Sequence, residues 1–343
     1  MTDWRSALMG DPLPWLLDPE VPAARHLALR WLEDRAPDDP AVRDARQRAM
    51  AADPIAAILA HQAPDGYWEK PGPGYATKYR GTVWQVMFLH QLGADGSDPR
   101  VRAGCAYVLA HSQAPNGGFG ASGEATASAP PNGYVIHCLN GNLLRALVGL
   151  GWLGDERLVR AIEWQARAVT GDGFGVPGAT HWPGATRGPG FRCSANGDQP
   201  CAWGAVKAML GLASIPPTQR SPLVTRAIEQ AAEFLLGRDP ATADYPTADR
   251  TDRPSGSWFK LGFPSGYVAD VLQNLEALVD AGLAKDPRLG RAIEWLLSRQ
   301  DSGGRWHNHY AYNTKTWTDF ERQGAPSRFV TLRACRVLKA ALS

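Results

Sequence analysis

The tetrapeptide Arg-Ala-Ile-Glu recurs at 160–163, 226–229 and 291–294, each time inside an amphipathic stretch: ERLVRAIEWQARAV, SPLVTRAIEQAAEFLLGR and DPRLGRAIEWLLSRQ. A repeat of this kind limits the possible folds sharply, because a unit that cannot bury its apolar face alone must stack on its own copies. Looser copies are DPRVRAGCAYVLAHSQ at 98–113 and AVRDARQRAMAADPIAAILAHQ at 41–62. Between them runs a second, more apolar helical set: RGTVWQVMFLHQLG, YVIHCLNGNLLRALVGLGW, CAWGAVKAMLGLAS, YVADVLQNLEALVDAGL and RFVTLRACRVLKAAL, with VPAARHLALRWLEDR near the start. Helices apolar nearly all round are buried, and helices with one charged face lie at the surface, so the second set is inner and the first outer. Inner-to-outer links are short (LGADGSD, GWLGD, IPPTQRSP, AGLAKD), and outer-to-inner links are long (62–80, 113–132, 166–199, 237–263, 300–326). Every long loop therefore lies on one face, where all the inner helices begin and point their unpaired N–H groups at a common mouth. The expectation is an all-α chain, an α/α toroid of about five to six helix pairs, in a single domain over residues 1–343.

The long loops open on Gln-x-x-x-Gly-x-aromatic: QAPDGYW (62–68), QAPNGGF (113–119) and QDSGGRW (300–306). This is similar to the repeat motif of squalene-hopene cyclases, oxidosqualene cyclases and the β-subunits of protein prenyltransferases. The resemblance implies the α/α toroid of that superfamily, with the motif tying outer helix ends to the next loop. The Asp-x-Asp-Asp acid run of the squalene-hopene cyclases has no counterpart here; the nearest, DRTDRP at 249–254, has another spacing. The prenyltransferase β-subunits carry Arg-Cys-Asn-Lys, then Asp-x-Cys opening an inner helix, then a His, with Asp, Cys and His on zinc. Arg192-Cys193, Asp198 and Cys201 resemble that pattern. One extra residue separates Asp198 from Cys201, Ala195 stands in the Lys position, and the next inner segment, FPSGY, lacks the His. Peptide prenylation is accordingly disfavoured.

Composition narrows the function classes. Hydrophobic residues make up 44% of the 343 and charged residues 20%, values of an ordinary globular chain. The net charge of +2 is spread without a basic block, which argues against a nucleic-acid partner. No apolar run approaches a membrane span and MTDWRSALMGDPLPW is not a leader, so a cytoplasmic protein is expected. Five cysteines, at 105, 138, 193, 201 and 335, suit reduced thiols or metal ligands better than a disulfide scaffold.

Zinc requires three or four converging Cys, His or Asp donors. On the inner helix before Cys201, Tyr134, Cys138, Asn142 and Arg145 share one stripe, which is expected to face the central cavity. Cys138, Cys193 and Cys201 then form a candidate zinc site, completed by Asp198, His137, His181 or water. Tyr267, Asp270 and Asn274 form a second stripe on the next inner helix. Asp270, Tyr267 and His137 are the candidate acid–base groups, and Arg192, Tyr134, Asn142, Arg145 and Asn274 the candidate substrate contacts. The function expected is zinc-dependent chemistry in the cavity on a small, largely apolar molecule, of which an isoprenoid is the example the resemblance implies, with a partner subunit left open. Two alternatives stand beside it: a carbohydrate-active toroid, which thirteen Trp would suit but which needs two opposed carboxylates, and a binding or scaffold toroid with structural zinc.

Overall fold

The computed structural model describes residues 3–121, 135–173, 190–248 and 254–343. Its outer helices begin where the sequence supplies caps. Asp39 before α3 (Pro40–Ala51), Asp98 before α6 (Pro99–His111) and Asp155 before α8 (Glu156–Thr170) each accept a backbone N–H of the first turn, as does Ser221 before α10 (Pro222–Leu236). The alanine and isoleucine of the three Arg-Ala-Ile-Glu copies, in α8, α10 and α12 (Gly290–Leu297), are buried, and the arginine and glutamate are exposed. The fifth copy is broken by Pro54, which cannot donate to a helix ladder, into α3 and α4 (Ile55–Ala60).

Among the described residues, six inner helices complete the ring: α2 (Pro22–Trp31), α5 (Thr82–Gln91), α7 (His137–Gly149), α9 (Ala202–Ala213), α11 (Val271–Asp280) and α13 (Arg328–Leu342); α1 (Leu13–Leu16) is a short turn ahead of them. From α5 to α13 each inner helix packs on the next, and α13 returns to α2. Among the described residues there is no strand, only isolated bridges. The architecture is an α/α toroid. Contact is tightest between α7 and α9, where a Cβ on Gly141 would lie 2.1 Å from the Lys207 carbonyl oxygen. Two adjacent inner helices thus start side by side and hold Cys138 and Cys201 near one another.

The loop motif does structural work. Gln62 and Gln113 donate to their own loop, at Gly66 and Gly117, and reach across to the carbonyls of Arg100 and Arg157 in the first turn of the next outer helix. Trp68 and Trp306 send their indole N–H back to Ile58 and Leu296, and their backbone N–H groups meet Thr82 and Thr331 on the next inner helix. Gly66 and Gly117 both sit at φ +94°, with a Cβ position 2.8 to 3.0 Å from a carbonyl of the next outer helix, which explains why the motif requires glycine there. In the last copy Gln300 finds Ala7 and Met9 in place of another outer helix. Arg328 pairs with Asp18, and Lys339 donates to the carbonyls that end α2, so the ring is closed by the segment before α2.

One stripe needs correcting. The segment before Val271 is not helical, so the helical spacing assumed for Tyr267, Asp270 and Asn274 does not exist. Asp270 is the N-cap of α11. Asn274 points away from the interior and donates to the hydroxyl of Tyr245, which in turn donates to Leu235 on α10. The face of α11 turned to the cavity carries Gln273, Glu276 and Asp280 instead.

Candidate functional site

The stretch from Phe191 to Cys201 folds back on itself. Cys201 N–H donates to Phe191 and Cys193 N–H to Gln199, while Asp198, at φ +59°, donates its N–H to the Cys193 carbonyl. Asn196 fastens this turn to the next long loop through Pro246 and Ala248. Cys201 is the N-cap of α9, its sulfur accepting from Gly204 N–H at 3.5 Å. The result is a stiff hairpin that sets Cys193 against Cys201.

The two sulfurs are not equivalent. Cys201 donates its thiol proton to Cys193, which with the backbone N–H groups of Ala195 and Asn196 holds the Cys193 thiol down to about 6, against burial. Cys201 is pushed far up by the same hydrogen bond and by burial. Cys138, second residue of α7, lies near enough to interact with both, and burial, followed by the charge of Cys193, pushes its thiol up to about 11. Among the described residues no three His, Cys, Asp or Glu side chains are grouped as a ready-made metal shell. The nearest approach to one is this pair of sulfurs with Cys138 beside it.

Phenols surround the thiols. Tyr75 lies among Cys138, Cys193, Tyr79 and Tyr267, its hydroxyl pushed up by burial. Tyr79 is hydrogen-bonded to Tyr267 and Tyr312 and stacks on Tyr312 at 4.1 Å. Lys78 lies over the ring of Tyr267 at 5.2 Å. The sequence marks Tyr267 as an acid–base candidate and Lys78, Tyr79 and Arg80, just before an inner helix, as an anion site; the signal for Tyr75 and Tyr312 is the tyrosines of KPGPGYATKYRG and HYAYN, both in long loops. Arg192 is exposed, its guanidinium turned to the carbonyl of Asp198. His137 is 4% exposed, packed against Phe191 and Trp164 and joined to Gln165 at 2.9 Å, so it belongs to the wall between the layers. Tyr134 and His181 lie outside the described residues.

Below the mouth, Gly262–Tyr267 crosses the interior. Arg333 donates to Gly262 and Ser265, Ser265 exchanges two hydrogen bonds with the Gln91 amide, and Asn142 donates to Gly266. Beneath it lies a cavity of about 320 Å³ that includes Asn142 and Arg145 in its wall. Glu276 on its floor is pushed up by burial, but Arg333, Arg145 and Arg336 overcome this and hold the carboxyl down to about 2.

Lys207, 1% exposed, also faces this cavity and is hydrogen-bonded to Gln273, which donates to Asp270 at 2.8 Å. Burial brings its ammonium down to about 7; Asp270 opposes this, and Arg333 and Arg145 reinforce it. The unfolded chain therefore keeps a proton that the folded chain has released between about pH 7 and the ordinary lysine value of 10.5. Stability is expected to rise through that window by up to about 1.4 kcal/mol per pH unit. Near pH 9 the buried thiols of Cys105 and Cys335, both held up to about 12, begin to act in the opposite sense. Cys193, held down to about 6, adds to the same rise; chemical denaturation from pH 6 to 10 should show a maximum close to pH 9, and Lys207→Met should make the rising limb shallower, while a limb unchanged in that variant counts against the assignment.

No family model and no curated protein matches the chain. Among solved structures, an unsaturated glucuronyl hydrolase specific for heparin overlays with a TM-score of 0.51 at 12% identity, over 94% of this chain and 85% of that one. The type II terpene cyclase MstE from Scytonema, without ligand, gives 0.31 at 16% identity over 86% and 98%. A protein from Actinoplanes gives 0.31 at 16% over 88% and 99%. At such identities a likeness is one of architecture, and the architecture is the α/α toroid.

Proposed function

We propose that the chain is an enzyme working at the long-loop mouth of the toroid on a small, largely apolar substrate, with thiols carrying its chemistry. The observation that supports this is the pair Cys193–Cys201: a stiff hairpin sets the first thiol against the second at the start of α9, where backbone N–H groups favour the thiolate of Cys193. Zinc suits these donors. Cys193 and Cys201 would hold it, with Cys138 and Asp198 the nearest groups to complete the shell. Zinc when bound supplies Lewis-acid polarisation or a lowered pKa for a thiol, hydroxyl or water. The rings of Tyr75, Tyr79 and Tyr312 offer apolar faces to an isoprenoid or comparable body, and their hydroxyls are protonated donors at neutral pH.

Elemental analysis tests the reading directly. About one zinc per chain, lost from Cys193→Ala and Cys201→Ala, is expected; less than about a tenth of an equivalent after growth with zinc would overturn it. A second reading, hydrolysis of a sugar, is favoured by α11, which carries one buried carboxyl pushed up by burial, Asp270, and one held down to about 2, Glu276. Divergent carboxyls are what acid and base roles require. Turnover of a glycoside that survives both cysteine variants would favour this reading over the first.

A further inference from the structure

The toroid has a second end, and the thiol mouth makes no use of it. There the cavity of about 320 Å³ is bounded by the C-terminal halves of α2 and α5, by α7 from Asn142 to Gly149, and by α11 and α13 from Gln273 to Asp280 and from Phe329 to Arg336. Its lining is mixed: Leu27, Met87, Phe329 and Leu332 are apolar, and Arg145, Arg333 and Arg336 with Glu276 and Asp280 are charged. Along the cavity wall itself three guanidiniums face two carboxylates, one positive charge in excess; Asp270, behind the wall, acts on Lys207 and Arg333. His90 adds none, because burial and then Arg145 and Arg336 push its imidazole down to about 3. Lys207 is turned through Gln273 toward Asp270.

The other two arginines take the carboxylate hydrogen bonds, and Glu276 Oε1 is left buried without one. Arg333 donates to Glu276 at 3.0 Å, and Arg336 to Asp280 at 3.1 Å. Arg145 is the one left over: its nearest carboxylate oxygens lie 3.7 and 3.8 Å away, beyond hydrogen-bond reach. It makes no hydrogen bond within the described residues. Beside it the Nε of Arg336 is buried without a partner. Arg145 keeps 23% of its side chain exposed, so water reaches its vacant donors, and a bidentate anion would replace that water with two charge-assisted hydrogen bonds.

We propose that this cavity binds a small organic monoanion, a carboxylate with an apolar body, its carboxylate on Arg145 and its body against Leu27, Met87, Phe329 and Leu332. One charge matches the single uncompensated guanidinium. A dianion would set excess negative charge beside Glu276 and Asp280, and a neutral ligand would leave the donors of Arg145 empty. The volume, at the lower end for ligand pockets, calls for a short chain or a single ring.

Calorimetric titration of the whole chain with hexanoate, and in parallel with hexanamide, tests this. Hexanoate is expected to bind once per chain with a dissociation constant on the order of 1 mM, and hexanamide at least about tenfold more weakly. Arg145→Gln should remove that preference, and Val148→Trp, which narrows the cavity from its partly exposed rim, should abolish binding. Equal affinity for acid and amide in the wild type overturns the proposal even if Arg145→Gln does not fold; so does hexanoate binding that persists in Val148→Trp. Binding should survive Cys193→Ala, so failure here and failure of the thiol reading are distinguishable.

Discussion

Glu276→Gln is expected to cost the fold about 3–5 kcal/mol, because it removes one partner from a buried ionic cluster and leaves the others facing each other. Glu276 is 1% exposed and its carboxylate faces three guanidiniums: Arg333 in hydrogen-bond contact, Arg336 at 3.6 Å and Arg145 at 3.8 Å. Glutamine keeps the shape and one acceptor but not the charge, so Arg333 and Arg145 become desolvated cations with only Asp280 and Asp270 to offset them. The double variant Glu276→Gln/Arg333→Met should recover much of the loss, since it removes the orphaned cation along with its partner. Urea denaturation of the two singles and the double decides the matter. Additive losses would mean that the cluster is not energetically coupled.

Gly141→Ala should be nearly as damaging, for a purely steric reason. The added methyl would lie 2.1 Å from the Lys207 oxygen, 2.2 Å from its carbonyl carbon and 2.5 Å from Ala208 N. All three are backbone atoms of α9, so no side chain can swing aside and α7 must move away. Overpacking of this kind costs about 3 kcal/mol or more, which outweighs the roughly 1 kcal/mol that alanine gains over glycine within a helix. Gly290, in α12, has nothing within 4 Å of its Cβ position; Gly290→Ala is the matched control and should be neutral or slightly stabilising. A cost below about 1 kcal/mol for Gly141→Ala would show that α7 and α9 do not touch along their backbones. Because Cys138 and Cys201 stand at the starts of these two helices, the same variant should also disturb the thiol cluster, visible as altered reactivity toward an alkylating reagent.

The layers of this fold were legible because each reports itself in local sequence. Outer helices announce a charged face and an Asp-Pro or Ser-Pro cap, inner ones lack a polar face, and loop lengths alternate. Cys201 as a helix start could be read in the same way, and so could the stripe through Asn142 and Arg145, since both follow from helical period alone. The α11 stripe failed because YVAD continues the apolar pattern of the helix while the chain there is still crossing the interior; period cannot tell the two apart before a cap is found, and the cap was Asp270 itself. The ionic cavity was invisible for another reason. Lys207 looks like a lone charge in an apolar helix, and Glu276, Arg333 and Arg336 like charges at a helix surface; what makes them a site is pairing between helices far apart in sequence.

The seam at Gln300 has a thermodynamic consequence. In an open stack of repeats the outermost unit has one neighbour, frays first and lets the rest unravel stepwise. Here the last loop motif docks on Ala7 and Met9 and α13 docks on α2, so the row of repeats has been bent until it has no outermost unit. Losing any one repeat breaks two interfaces instead of one, and partly melted forms are correspondingly scarce. A chain assembled from quasi-independent modules thereby acquires the all-or-none melting of a much smaller protein.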